Sequence, residues 1–262
     1  MTDERPFDAV IFDWAGTIVD PGSRAPLAAF RATFEAEGID LTDAEIRGPM
    51  GLGKREHIES LLRIPRVSEA FRSRQQHDWN DADVDRMYHR FESIQPEVAA
   101  ARATPIDGVV DLLARLRAAG VKLGGTTGFS TTVMAQVVPA AAAHGVTLDA
   151  SVCVNEVERG RPAPDMLLEC ASRLGVRPER CVVLDDTPVG IEAAVAAGMP
   201  GWGVSLSGNA CGLDAAETAA LSDAARAEIQ DRAVEVFAKA GAQGTLTSVV
   251  ALGRKWRMEN GE

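Results

Sequence analysis

Residues 7–13, Phe-Asp-Ala-Val-Ile-Phe-Asp, form a short apolar run closed by a carboxylate, with Gly16 just beyond it. A run of this length, rich in branched side chains and bounded by a turn signal, predicts a buried strand. Four similar runs follow: VKLGGTT from Val121, ASVCV from Ala150, RCVVLDD from Arg180 and GWGVS from Gly201. Amphipathic stretches separate them. Val109, Val110, Leu112, Leu113 and Leu116 recur at helical spacing and Gly120 supplies the stop; Gly145, Gly175 and Gly198 end the next three helices in the same manner. Strands alternating with helices of about 10–15 residues predict βαβ units and an α/β fold with a mostly parallel sheet.

The pattern changes between Gly22 and about Ala100, where no strand-like run occurs and helix signals follow one another. Thr42-Asp-Ala-Glu45 has the spacing of a capping box, Asn80 is placed to cap a helix, and Val84, Met87, Tyr88 and Phe91 fall at i, i+3, i+4 and i+7. The expected organisation is therefore an α/β core of residues 1–22 and 101–262 with a helical cap, 23–100, inserted after the first strand. The apolar face of Val84, Met87, Tyr88 and Phe91 either closes the bundle of the cap or joins two subunits. From about Asp214 the chain reads as helix and then an apolar segment, Leu246 to Leu252, packed on the core. There is no internal repeat and no low-complexity tract.

Charge narrows the partners. The 262 residues include 27 Lys and Arg against 38 Asp and Glu, a formal charge of −11. Such an acidic balance argues against a nucleic-acid backbone, which needs clustered Lys and Arg. No run approaches the roughly 18 apolar residues of a membrane span, and the amino end, MTDERPFD, has no apolar signal region, so a cytoplasmic protein is expected. Cys153, Cys170, Cys181 and Cys211 lack CxxC spacing and read as reduced structural thiols. His77, His89 and His144 lack ligand spacing and read as surface or structural.

In open parallel sheets ligands gather beyond the carboxyl ends of the strands. Asp13, Thr126-Thr127-Gly128 and Asp185-Asp186 all stand at such ends. Each Asp alone reads as a helix cap. Together, three carboxylates converging in one crevice need a cation, and hard oxygen ligands of this kind suit Mg²⁺ with a phosphoryl group.

These residues, in order, resemble the four motifs of the haloacid dehalogenase superfamily: Asp13-Trp14-Ala15-Gly16-Thr17, Thr127, Arg161 in RGRPAPD, and Asp185-Asp186. The resemblance implies a Rossmann-like core in which Asp13 is the nucleophile that accepts a phosphoryl group. It also implies that Thr127, with Gly128, and Arg161 hold the phosphoryl oxygens, and that Mg²⁺ is bound by Asp13, the Ala15 carbonyl and Asp186, with Asp185 as the second acid. Superfamily phosphatases carry a general acid two residues after the nucleophile, where this chain has Ala15. Loss of such a donor costs a phosphate-ester hydrolase about 10²–10⁴-fold.

Met50-Gly51-Leu52-Gly53-Lys54 places a lysine at the start of an apparent helix, with His57 three residues on and on the same face. A helix amino end, a nearby cation and desolvation all disfavour the ammonium, and a neutral amine attacks carbonyls. With Asp-Trp-Ala-Gly-Thr, this segment resembles the phosphonoacetaldehyde hydrolases, or phosphonatases. That resemblance implies that Lys54 is a Schiff-base lysine, His57 a proton-transfer histidine and Met50 the methionine beside the lysine; Trp14 reads as shaping the pocket or packing. It implies a small phosphonate substrate, an iminium on Lys54 that takes up the electrons of the cleaved carbon–phosphorus bond, and a homodimer formed through the cap. Two features depart from the family pattern: Gly190 stands where a second acid is usual, read here as shifted to Asp185, and Phe129 stands where a tyrosine is common. A phosphomonoesterase or phosphomutase with a borrowed acid, and a silent ligand-binding member, stay open as alternatives.

Overall fold

The structure is a computed structural model and describes residues 6–253. Met1–Arg5, part of the amino end read above, and residues 254–262 of the expected core lie outside the described residues.

The first strand, β1 (Ala9–Asp13), is followed by five helices: α1 (Arg24–Glu35), α2 (Asp43–Arg47), α3 (Lys54–Leu62), α4 (Pro65–Gln75) and α5 (Asp81–Ala101). Then come α6 (Val109–Ala118), β2 (Lys122–Thr127), α7 (Thr131–Ala143), β3 (Ala150–Cys153), α8 (Asp165–Leu174), β4 (Cys181–Asp185) and α9 (Pro188–Ala196). The chain continues through β5 (Gly201–Val204), α10 (Ala215–Ala219), α11 (Asp223–Lys239) and β6 (Gly244–Leu246). The six strands form one sheet in the order β3-β2-β1-β4-β5-β6, and every neighbouring pair is parallel.

β1 is buried along its whole length because both faces are covered. Val10 and Phe12 enter one apolar cluster with Leu113, Leu123 and Val182; Ala9 and Ile11 enter another with Met166, Cys170 and Val183. The period-two alternation of side chains sends successive residues to opposite layers. The strand order reverses between β1 and β4, so the crevice at their carboxyl ends is a topological switch point, and Asp13 and Asp185 close those two strands.

The sixth strand was not legible. The apolar segment at the end of the chain contributes Leu246, Val249 and Leu252 to the core, as its hydrophobicity implies, but Gly244–Leu246 also pairs with β5 as the sheet edge. Gly244 carries no strand propensity. It is glycine because a Cβ there would stand 2.5 Å from the Trp202 ring.

Helices α1–α5 build an apolar cluster of their own around Phe30, Phe34, Ile46, Ile58, Phe71 and Phe91. The predicted capping box forms between Thr42 and Glu45, and Asn80 caps α5 as expected, with Asp83 completing a second box there. Val84, Met87 and Phe91 are fully buried inside this cluster, so of the two alternatives for their face it closes the bundle. The outgoing and returning connections are tied to each other by Asp20 N–H to the Thr104 carbonyl (3.1 Å) and Ile106 N–H to the Ile18 carbonyl (3.0 Å). All four cysteines are free, and His77, His89 and His144 are exposed. Among the described residues no helix is long and apolar enough to cross a membrane.

Candidate active site

Asp13, Ala15, Met50, Lys54, Thr127, Gly128, Arg161 and Asp186 line one cavity at the carboxyl end of β1, with Ser23, Pro26, Gly51, Phe129 and Thr187 completing its wall. Arg161, from the loop after β3, is the hub. Its Nη1 donates to Asp13 Oδ1 (2.8 Å); its Nη2 donates to the Thr126 carbonyl (3.1 Å) and Thr126 Oγ1 (2.9 Å) and lies 3.1 Å from Asp185 Oδ2. Thr127 Oγ1 accepts the Phe129 N–H (3.1 Å), which leaves its hydroxyl proton free to donate into the cavity.

Three buried carboxylates, Asp13, Asp185 and Asp186, face two buried cations, Arg161 and Lys54. Burial pushes the Asp13 carboxyl up to about 7 against the pull of Arg161, and the charge of Asp185 adds to the rise. Asp186 is pushed well above the carboxylate range by burial and by Asp13 and Asp185. Such a pair calls for further positive charge. No group of three or more His, Cys, Asp or Glu side chains among the described residues is arranged to hold a metal by itself. Asp13 and Asp186 beside Ala15 instead offer two carboxylates and a main-chain carbonyl, a donor set that fits Mg²⁺ completed by water and a phosphoryl oxygen.

Asp186 is set by close packing. Its Oδ2 accepts the Asn209 N–H (2.7 Å), and Cβ atoms built on Gly16 or Gly208 would fall 2.2 Å from its side chain. Gly16 also has φ +89°, where a side chain is strained. Gly16→Ala is therefore expected to displace this carboxylate and lower Mg²⁺ affinity by about 10–100-fold, the usual cost of disturbing the surroundings of a ligand. Isothermal titration with Mg²⁺ checks this; native affinity in the variant would contradict the placement.

Three of the expected site residues, Asp185, Trp14 and His57, stand outside the cavity wall. Asp185 does not reach the cavity as a metal-side acid: its Oδ1 accepts from Thr187 N–H (2.9 Å) and Oγ1 (2.7 Å) while Oδ2 faces Arg161, so it orients the arginine. A Cβ built on Gly190 would lie 2.0 Å from the Asp185 carboxyl carbon, so the acid at 185 fills the room that a side chain at 190 would take. Trp14 does not line the cavity, because its indole turns into the opposite core layer, where Nε1 would stand 2.5 Å from a Cβ on Gly125. His57 shares the buried face with Lys54 but also stands outside the cavity, its ring 3.8 Å from that of Phe30. Neither His57 nitrogen has a hydrogen-bond partner of good geometry, the Ile46 carbonyl being the polar group that acts on it. Burial, helped by the charge of Lys54, pushes it well below the usual histidine range, so it is neutral.

Lys54 is the first residue of α3 and is 5% exposed. Its Nζ lies 5.7 Å from the Phe30 ring centroid and 5.4 Å from that of Phe129. Burial lowers its pKa to about 8, with Arg161 adding to the fall and Asp13, Asp186 and Glu92 opposing it. The Lys54 ammonium is thus disfavoured by burial and by Arg161 while Asp13, Asp186 and Glu92 oppose its loss.

A profile of the haloacid dehalogenase-like hydrolases matches residues 7–198. The phosphonoacetaldehyde hydrolase of Paraburkholderia xenovorans is 42% identical over 245 residues, covering 93% of this chain and 92% of that one. The phosphonoacetaldehyde hydrolase of Hahella chejuensis is 41% identical, over 94% and 84% of the two chains. The chain belongs to the phosphonoacetaldehyde hydrolase family. The crystal structure of a phosphonoacetaldehyde hydrolase-like protein from Oleispira antarctica superposes with a TM-score of 0.94 at 40% identity, covering 98% of this chain and 95% of that one. Within this hydrolase, sequence reasoning placed Thr126 at the strand end without giving it its Arg161 partner, and it missed Ser23, Phe30 and Asn209, which carried no local signal.

Proposed function

We propose that this hydrolase cleaves the carbon–phosphorus bond of phosphonoacetaldehyde, giving acetaldehyde and phosphate, with residues 23–100 acting as a cap over a core of 1–22 and 101–262. The observation that carries the reading is the single cavity holding a desolvated lysine and a buried aspartate with an alanine, Ala15, where a phosphatase keeps its acid. A carbon leaving group has no oxygen for such an acid to protonate.

Lys54, as the neutral amine, adds to the aldehyde; the resulting carbinolamine takes up a proton from solvent and loses water to form an iminium. Asp13 then attacks phosphorus; the carbon–phosphorus bond breaks, and its electron pair moves to the carbon and on toward the iminium nitrogen, giving an enamine. Arg161 and the Thr127 hydroxyl hold the phosphoryl oxygens, as preorganised donors where charge develops. Asp13, the Ala15 carbonyl and Asp186 would hold Mg²⁺. When bound, the cation supplies charge neutralisation that lets a carboxylate approach an anionic phosphonate. Water then hydrolyses the aspartyl phosphate, and protonation and hydrolysis of the enamine return the free lysine with acetaldehyde. Phe30, Phe129 and Met50 keep bulk water from the imine.

Assembly as a homodimer through the cap belongs to the same proposal, on a face other than Val84, Met87 and Phe91, which the bundle uses internally. Purified protein with Mg²⁺ is expected to release phosphate from phosphonoacetaldehyde much faster than from p-nitrophenyl phosphate, and at least about 10²-fold faster than from an alkyl phosphate, whose alkoxide leaving group needs the acid that Ala15 lacks. The reverse preference would favour the phosphomonoesterase.

A further inference from the structure

Away from Lys54, the helical segment meets the sheet edge of the site at a second place. Arg47, the last residue of α2, donates through Nη1 to the Gly22 carbonyl (2.9 Å) and Asn209 Oδ1 (3.2 Å), and through Nη2 to the Gly212 carbonyl (3.0 Å). Asn209 answers in kind: its Nδ2 donates to the Arg47 carbonyl (3.2 Å). Its backbone N–H is the group that donates to Asp186 Oδ2 at 2.7 Å. One core residue therefore grips the end of a bundle helix with its side chain and the site carboxylate with its main chain.

The seam around these contacts is tight. A Cβ on Gly212 would stand 2.8 Å from the Arg47 guanidinium carbon, and one on Gly22 would stand 2.5 Å from the Leu213 carbonyl oxygen. Gly22 N–H donates to the Ser207 carbonyl (2.7 Å), and Ser207 Oγ donates to the Gly16 carbonyl (3.2 Å). Loop 207–213 is thus sewn to the turn after β1, to the outgoing connection and to α2, and it holds Asp186. All three acceptors of Arg47 are neutral oxygens, whose orientation an arginine fork fixes where a point charge does not, while the charges of Asp43, Asp186 and Asp20 also act on the guanidinium.

We propose that Arg47 and Asn209 are positioning residues: seating the helical segment through Arg47 fixes loop 207–213 and thereby orients the Asp186 carboxylate. Arg47 on α2 and Lys54 on α3 belong to the same apolar bundle and are joined by the short 48–53 loop, which carries Met50 and Gly51 into the cavity wall. The movement that brings the amine over the site therefore also sets the carboxylate on its far side. Lifting the bundle breaks the three guanidinium bonds and frees Asn209, so the phosphoryl side is assembled only while the amine is in place. This rests on the reading of Asp186 as a cation-side carboxylate.

The test uses the full chain as Arg47→Ala, Arg47→Lys and Asn209→Ala, with Mg²⁺ alone as the probe. Arg47→Ala is expected to weaken Mg²⁺ binding in isothermal titration by about 10–100-fold. It is also expected to speed hydrogen exchange of the 207–213 peptide by at least about tenfold and, at saturating Mg²⁺, to lower kcat while leaving KM for the aldehyde within about twofold. Arg47→Lys should recover part of each loss, and borohydride trapping on Lys54 should persist. Mg²⁺ affinity and 207–213 exchange within twofold of the native protein would overturn the proposal. If Arg47→Ala does not fold, Asn209→Ala, which removes only the side chain between α2 and the loop, decides on the same two readouts. A native protein that binds Mg²⁺ but leaves phosphonoacetaldehyde intact would remove the substrate reading while the titration and exchange still judge the latch.

Discussion

Lys54→Ala is expected to abolish phosphate release from phosphonoacetaldehyde, lowering kcat/KM by on the order of 10⁴-fold or more, about 5 kcal/mol of transition-state stabilisation at 1.36 kcal/mol per decade. The reason is chemical. Without the iminium the electrons of the carbon–phosphorus bond have no stabilised destination, and the cavity holds no other amine to supply one, Arg161 being locked in its charged form by Asp13 and Asp185. Lys54→Arg should fail equally, since a guanidinium does not deprotonate at working pH. In the native protein with excess Mg²⁺, kcat/KM is expected to rise with pH and level off at or below about 8, because burial lowers the amine to about 8, a bound cation lowers it further, and only the neutral form attacks. Borohydride added during turnover should leave a two-carbon adduct on the peptide carrying Lys54. Steady turnover with no adduct, or a rate that falls as pH rises through 8, would remove the imine from the mechanism.

Asp13→Asn should be as damaging to phosphate release, again on the order of 10⁴-fold, yet it should leave the first half of the reaction intact. Asparagine is nearly isosteric and still accepts the 2.8 Å hydrogen bond from Arg161, but it is no nucleophile toward phosphorus. Imine formation on Lys54 does not require Asp13, so borohydride should still trap substrate, now without phosphate release. Three buried carboxylates facing two cations also become two facing two, so thermal unfolding in Mg²⁺-free buffer is expected at a temperature no lower than that of the native protein. Phosphate release within tenfold of native by Asp13→Asn would mean that another group attacks phosphorus. Together the two variants divide the reaction: one blocks the covalent step on carbon, the other the covalent step on phosphorus.

Local pattern carried much of this architecture. β1 to β5 were legible because strands covered on both faces are short continuous apolar runs, and Asp13, Thr127 and Asp185-Asp186 were legible because polar residues that end such runs lie at the sheet edge whatever else the chain does. The capping box at Thr42 and the cap at Asn80 were legible for the same reason, since each depends on residues within one turn of the chain. Where a side chain points once the run has ended was not local. Trp14 and Asp13 are neighbours in sequence and part company at the end of β1, one into the core layer over Gly125 and one into the cavity.

By itself the sequence determined the fold class, the strand-end acids and the presence of a lysine at a helix start, because each is a matter of residue type and short spacing; that Ala15 stands where an acid is usual came from the family resemblance. Only the tertiary structure decided which acid meets which cation. Asp185 turned to Arg161 and Thr187, Asp186 to Asn209, and Arg47 to the loop that carries Asn209, in contacts that mostly join residues far apart in the chain. Such pairings are selected by packing and by the cost of leaving a buried charge without a partner, and both exist only after the bundle has closed over the sheet.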